Sequence, residues 1–301
     1  MSTDGSFQPE AAPVGYYGLP IVKAHGWKDV IGIYFFTGGL AGASSVLAAA
    51  AELAGQPRLA RHARRSAMVG LIPSPFLLVA DLSRPDRFLN MLRVCKPTSP
   101  MSVGTWLLSV YGSCSAVAAA LDELGAAPRL RRGLTVAAGP LGSMMTTYTA
   151  VLISDTATPA WHEARRSLPF LFATSAAASA GAITAALSTV EGRAHPAPRR
   201  LAVLGALGQL TTARHMSRRL GLLDTYTTDA ATYRYSQASR ALSISGAVGL
   251  ALGKNHRALT LLAALAVAAG SLAERLAILR AGTASAQDPA HVLGSPPGPP
   301  T

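Results

Sequence analysis

The sequence predicts an all-α polytopic membrane protein. Half of the 301 residues are hydrophobic, only 14% are charged, and the mean hydropathy is +0.30, which is more apolar than an ordinary soluble domain. The apolar residues also fall into blocks of about 17 to 25, the length that a helix needs to cross about 30 Å of hydrocarbon. Alanine and leucine dominate these blocks, and the sequence lacks the short alternating segments of a membrane barrel.

Eight such blocks follow one another, and each is predicted to be one transmembrane helix. Pro73 and Pro75 interrupt the second block, which a membrane helix tolerates when its neighbours satisfy the freed carbonyls. The sixth block is the weakest because the run TTARHMSRR places charges in its last third. The blocks cover about 27–53, 66–82, 101–124, 133–155, 168–190, 199–220, 237–253 and 257–279.

The two ends of the chain lie outside these apolar blocks. Residues 1–26 are polar and lack the pattern of a removed signal peptide. Residues 283–301 are rich in Pro, Gly and Ser, as in a disordered tail.

Cys95 and Cys114 form no ligand-spaced cluster, and only His215 is predicted within a helix, so we expect neither haem nor a metal bound by this chain. The other histidines, predicted in links or tails, are His25, His62, His162, His195, His256 and His291.

The net charge of +12 predicts topology rather than nucleic-acid binding. Runs such as RLARHARR (58–65) and RLRR (129–132) are predicted to be short links at helix ends, where lipid headgroups explain them better than nucleic acid does. The links after the first, third, fifth and seventh helices are the basic ones. The positive-inside rule therefore predicts a multi-pass protein of the cell membrane with both termini on the outer side.

Three longer links are expected on the same side as the N-terminus. They carry all three tryptophans of the chain, and Trp and Arg favour the headgroup region for amphipathic reasons alone. An interfacial belt explains Asp81 and Asp155 less well, because acids at the inner ends of helices are costly unless they are paired or near water. We therefore expect a polar cavity here. The side chains concerned are His25, Trp27, Lys28, Asp29, Asp81, Arg84, Asp86, Arg87, Trp106, Asp155, Trp161, His162 and Glu163.

Two tyrosines are expected at similar depths beneath this surface. Helical spacing places Tyr34 on one face with the small residues Gly38, Ala41 and Gly42, and it places Tyr148 on one face with Asp155. Small residues at this spacing can also serve close helix packing alone, and tyrosines can serve as interface anchors. Taken together, the residues describe a slot with apolar walls and polar groups at its mouth, which would suit a quinone ring.

Three segments resemble the NrfD/polysulfide reductase membrane subunit family. They are IYFFTGGLAGASS (33–45), DLSRPDRFLNMLRVCKPTSPMSVGTW (81–106) and the stretch that runs from YTAVLISD to PAWHE (148–163). The resemblance is close over about residues 27–185 and looser to the eighth helix. It implies two four-helix bundles, at 27–155 and 156–282, without a redox centre of their own.

The resemblance also implies a function. Members bind quinone or quinol, which here would be menaquinone or ubiquinone, and dock a four-cluster, ferredoxin-like iron-sulfur subunit that serves a molybdopterin catalytic subunit. Tyr148 matches the family's quinone-site tyrosine. Tyr34 stands where a better-known member has a histidine, and Ile31 where that member has an asparagine, so Asp29 or His25 are possible substitutes in this role.

The candidate residues then take separate roles. Tyr34 and Tyr148 are expected to bond the quinone head group, while Asp81 or Asp155 relays a proton. The expected docking residues are Arg84, Arg87, Trp106, Trp161 and His162.

Two other functions stay open. In a secondary transporter, Arg214 and His215 would lie on a proton path along one face of the sixth helix, although snorkelling at the membrane interface explains the same residues. A purely structural anchor would assemble without quinone turnover.

Overall fold

The computed structural model of the protein describes residues 29–82, 88–93, 95–192, 194–219, 229–253 and 256–287. Three predicted site residues, His25, Arg84 and Arg87, lie outside the described residues. The predicted polar segment 1–26 lies outside them too. Of the predicted disordered tail, 283–301, residues 283–287 are helical instead, and residues 288–301 lie outside the described residues.

The described residues fold almost entirely into α-helices and contain no β-strand, which confirms the all-α prediction. A short 3-10 turn, Ala164–Arg166, is the other regular element among them. The helices are α1 (Asp29–Leu53), α2 (Pro57–Leu71), α3 (Pro73–Asp81), α4 (Phe88–Arg93), α5 (Pro100–Glu123), α6 (Pro128–Ser154), α7 (Pro159–Glu163), α8 (Leu168–Val190), α9 (Pro196–Arg219), α10 (Ala230–Leu252) and α11 (Arg257–Gln287).

Five of the described helices, α1, α5, α6, α8 and α11, are long and apolar enough to cross a membrane. Each coincides with one predicted block. The second block is divided between α2 and α3, and the sixth and seventh blocks correspond to α9 and α10, which are less apolar. Eight membrane crossings and a division into two bundles therefore remain predictions.

Proline places several helix boundaries. A proline stands in the first turn of α2, α3, α5, α6, α7 and α8, where its missing N–H costs no hydrogen bond. Pro73 also separates α2 from α3. At this break the Ser74 hydroxyl donates to the Gly70 carbonyl at 2.7 Å and lies 3.0 Å from the Thr37 hydroxyl of α1. A side chain therefore bonds a carbonyl at the break, as a broken membrane helix requires.

Small residues let α1 lie close to its neighbours. A β-carbon at Gly42 would collide with the Gly142 carbonyl of α6, and one at Gly38 would meet Met145 at 3.0 Å. Ala41 is fully buried and faces Gly70 of α2. The small face of the first helix is thus a packing surface.

The two basic runs lie inside helices rather than in links, which corrects the sequence prediction. Residues 58–65 form the first half of α2, and residues 129–132 lie in the first turns of α6. His62 is consequently a helical residue, only 3% exposed, with its Nε2 3.7 Å from the Glu191 carboxylate. Arg64, at 4% exposure, is buried as well.

Candidate functional site

One cavity brings together three of the residues predicted for the site. Tyr34 of α1, Asp81 at the end of α3 and Tyr148 of α6 all line a space of about 320 Å³. The rest of the lining is mainly apolar and comes from α1, α3, α4, α5 and α6. These further lining residues are Ile31, Leu78, Leu82, Met91, Met101, Gly104, Thr105 and Leu152.

Tyr148 is held in place by the start of α5. Its hydroxyl donates a 2.7 Å hydrogen bond to the Pro100 carbonyl. A β-carbon at Gly104 would collide with the Tyr148 hydroxyl and ring, so only glycine leaves room for the tyrosine here. The proline and the glycine of the motif PMSVGTW therefore serve one purpose, which is to seat Tyr148 at the cavity wall.

Tyr34 of α1 also lines the cavity. It is 2% exposed, and its ring centroid lies 6.1 Å from that of Phe35. Phe35 in turn lies 6.2 Å from Phe172 of α8, so aromatic rings connect the cavity wall to the neighbouring group of helices. A buried phenol that packs against a neighbouring ring has its hydroxyl directed by the fold rather than by solvent.

Asp81 is the acidic residue among those that line the cavity. It is the last residue of the largely apolar helix α3, and it is half-buried. A carboxyl at a helix end and at the rim of a cavity can exchange a proton with the interior while keeping access to water.

The other predicted acids lie elsewhere. Asp155 is exposed just beyond the end of α6 and is absent from the cavity lining. Asp29 pairs with Arg280 of α11, with Oδ1 and Nε 3.0 Å apart. Asp29 thus joins the first and last described helices near the surface and is also absent from the cavity lining.

The predicted docking residues divide by exposure. Trp106 is 37% exposed, and His162 of the short helix α7 is exposed. Trp161 is not on the surface, which corrects its predicted position: it is 1% exposed, and its indole N–H donates to the Ile278 carbonyl at 2.8 Å. A β-carbon at Gly282 would collide with its ring, so α11 forms a fitted socket for Trp161.

Arg214 and His215 are exposed on α9 and do not line the cavity. Their exposed positions fit snorkelling at the membrane interface.

The opposite end of the first helices holds a buried cluster of ion pairs that the sequence prediction missed. Arg64 of α2 contacts Glu52 at 2.9 Å and Asp122 at 3.0 Å. Arg131 of α6 contacts the same two carboxylates, at 3.2 Å and 2.7 Å. Arg61 reaches Asp122 at 3.1 Å from a half-exposed position. Four helices, α1, α2, α5 and α6, are joined by these pairs, which we name the ion cluster.

The fold and the cavity define an all-helical membrane protein with a ligand-sized space at one end of its helices. The family model described as Polysulphide reductase, NrfD, matches residues 23–286. The chain belongs to this family, as the resemblance predicted. No curated protein matches the chain.

Membership carries a general expectation of function. The family consists of membrane subunits of polysulfide reductase-like complexes, is associated with quinones, and generally pairs with iron-sulfur and molybdopterin subunits. Among the described residues there is no group of three or more His, Cys, Asp or Glu side chains that could hold a metal ion.

Proposed function

We propose that this chain is the quinone-reactive membrane subunit of a respiratory oxidoreductase complex. It exchanges electrons with a docked iron-sulfur subunit, which serves a molybdopterin catalytic subunit. The observation that carries the proposal is the meeting of Tyr34, Asp81 and Tyr148 at one cavity. Its volume of about 320 Å³ suits a single ring with its substituents, and its mainly apolar lining with few polar groups is typical of small-molecule sites.

The residues present fit a quinone head group. The apolar side chains Ile31, Leu78 and Met101 offer flat contact to a ring, while the two phenols and the carboxyl supply polar contacts at its edge. A bound quinol supplies two electrons and two protons as it becomes a quinone. The electrons leave for the docked subunit, and the protons must pass to groups of this chain.

Tyr148 and Asp81 have distinct parts in that transfer. Because the Tyr148 hydroxyl already donates to the Pro100 carbonyl, its oxygen is left to accept a hydrogen bond from a quinol hydroxyl. Asp81 accepts the proton and passes it to water at the rim of the cavity, since it stands at the end of α3. Tyr34 fixes the far side of the ring.

The partner is proposed to dock over the mouth of this cavity. Trp106 and His162 are exposed and are assigned to this surface, and Trp161 fixes the short helix of His162 through its contact with α11. Arg84 and Arg87, which lie outside the described residues, belong to the same proposed surface.

The topology of the proposal has eight crossings in the cell membrane. Helices α2 and α3 together form one crossing, and α9 and α10 are long enough, at 24 and 23 residues, to form two more. The crossings form two bundles, at 27–155 and 156–282, with both termini outside. The ion cluster and the basic start of α9 then lie on the cytoplasmic side.

Replacing Tyr148 by Phe tests the proposal. In the assembled complex we expect Tyr148→Phe to lower quinol-dependent turnover at least tenfold, while dye-dependent turnover of the catalytic subunit stays unchanged. The matched control is Tyr111→Phe, because Tyr111 is a fully buried tyrosine of α5 that bonds Ser45 and does not line the cavity. Equal quinol rates in Tyr148→Phe and the parent would remove Tyr148 from the site.

A further inference from the structure

A second and larger cavity lies away from the proposed quinone site. It has a volume of about 680 Å³ and opens between the start of α9 and the end of α10. We name it the α9–α10 groove. The residues that matter for its chemistry are His195, Arg199, Arg200, Val203, Leu204 and Leu250.

The mouth of the groove is basic. Arg199 and Arg200 both line it beside His195, and none of the described residues that line it is acidic. Arg199 is held in position, since its Nη2 donates to the Thr260 hydroxyl at 3.2 Å. That hydroxyl donates in turn to the Gly253 carbonyl at 2.9 Å. The mouth is therefore a preorganised cationic site, in which Arg200 is the exposed and movable member.

The wall of the groove is apolar, and it begins one helical turn further along α9. Val203 and Leu204 follow the arginines by four residues, about 6 Å along the helix axis. Leu204 is 66% exposed, whereas Leu250 of α10 is 1% exposed and forms the back of the groove. A ligand seated here meets two guanidinium groups at one end and hydrocarbon at the other.

We propose that the α9–α10 groove binds an anionic phospholipid. Its phosphate pairs with Arg199 and Arg200, and one acyl chain lies along Val203 and Leu204. Guanidinium groups recognise phosphate with paired N–H donors, and basic sites between membrane helices hold anionic headgroups. Free phosphate would leave the apolar wall unused, and a zwitterionic lipid brings no net charge to the two arginines. The proposal goes beyond quinone binding and does not depend on it.

Lipid retention by the full chain tests the proposal. Native mass spectrometry of the protein from mixed micelles containing equal phosphatidylglycerol and phosphatidylcholine should show preferential retention of phosphatidylglycerol. Arg200→Gln should lower that retention about fivefold, and Arg199→Gln with Arg200→Gln on the order of 25-fold, because each basic side chain near the surface contributes a similar amount. Arg200 is exposed, so its variant keeps the fold even if the double variant does not.

Two further variants separate the possible sources of binding. The control, Arg129→Gln with Arg132→Gln, removes two exposed arginines of α6 outside the groove and should leave retention unchanged. Leu204→Trp fills the wall while keeping both arginines, and it should lower retention as well. Millimolar inorganic phosphate should not displace the lipid. Equal losses in the Arg129/Arg132 control, full retention in Arg200→Gln, or displacement by phosphate would each overturn the proposal.

Discussion

The two ends of α1 face opposite chemical environments. Near one end, Tyr34 lines an open cavity together with the Tyr148 phenol and the Asp81 carboxyl. Eighteen residues later, about 27 Å along the helix, Glu52 lies in the ion cluster, where two buried carboxylates are surrounded by Arg64 and Arg131.

The two ends of α1 differ in whether space is left between the side chains. Charges buried in a membrane protein are tolerated when they neutralise one another, and the ion cluster does so through close contacts between guanidinium groups and carboxylates. The cavity end has two phenols, the Asp81 carboxyl and unfilled volume instead. The ion cluster and the cavity thus lie towards opposite ends of α1, and both also involve α5 and α6.

The largest effect is expected from the centre of the ion cluster. Arg64→Gln leaves Glu52 and Asp122 buried with one cation fewer, and breaking such a buried pair costs about 3 to 5 kcal/mol. We expect most of the variant to be lost from the folded fraction after mild heating in detergent. A thermal midpoint equal to that of the parent would show that Arg131 alone neutralises both carboxylates.

Gly104→Val should separate function from cohesion. The new side chain collides with Tyr148 and displaces it from the Pro100 carbonyl, at a cost of about 1 to 3 kcal/mol. We expect quinol-dependent turnover of Gly104→Val to fall as much as that of Tyr148→Phe, while the complex still assembles and still reacts with the dye. Gly133→Val is the control, because a β-carbon at Gly133 of α6 meets nothing within 4 Å. Unchanged quinol turnover in Gly104→Val would argue that the position of Tyr148 is unimportant.

Tyr111→Phe tests the middle of the helices, between the cavity and the ion cluster. The Tyr111 hydroxyl lies 3.0 Å from that of Ser45, which keeps Ser115 as a second neighbour at 3.3 Å. We expect a loss of about 1 kcal/mol in stability, since one neutral hydrogen bond is removed. The thermal midpoint in detergent measures it, and a loss as large as that of Arg64→Gln would extend the cohesive region into the middle of the helices.

The smallest effect is expected at the rim of the ion cluster. Arg61 contacts Asp122 with its side chain 50% exposed, and ion pairs open to water contribute about 0.2 to 1 kcal/mol. Arg61→Gln should therefore lie close to the parent in the same heating assay. If Arg61→Gln lost as much thermal stability as Arg64→Gln, burial would not explain how the ion cluster stabilises the fold.

The helices were predictable where apolar length alone defines them. The blocks at 27–53, 101–124 and 168–190 agree with α1, α5 and α8 within about two residues at most ends. The start of α2 was missed because Arg58 and Arg61 suggested a link, and a linear sequence does not show that Asp122 lies opposite them. From sequence alone, a run of basic residues indicates a solvated loop, because the acids that neutralise it lie on other helices.

The site was predictable to the extent that its residues belong to recognisable segments. Tyr34, Asp81 and Tyr148 were all identified, and the structure places them at one cavity. The role of Gly104 lay in the motif PMSVGTW, but it needs the knowledge that Tyr148 crosses α5 at that residue. The burial of Trp161 could not be predicted, because its socket comes from Gly282, more than a hundred residues later.

The socket of Trp161 also constrains the order in which the protein can be completed during synthesis. The link that carries Trp161 emerges from the ribosome well before α11, which supplies both the Ile278 carbonyl and the space at Gly282. The Ala160 amide likewise waits for the Ser285 hydroxyl, 3.3 Å away in the finished fold. In a nascent chain interrupted before residue 278, the Trp161 indole has neither this carbonyl to bond nor this space to pack into. Only a chain translated through α11 presents the finished surface.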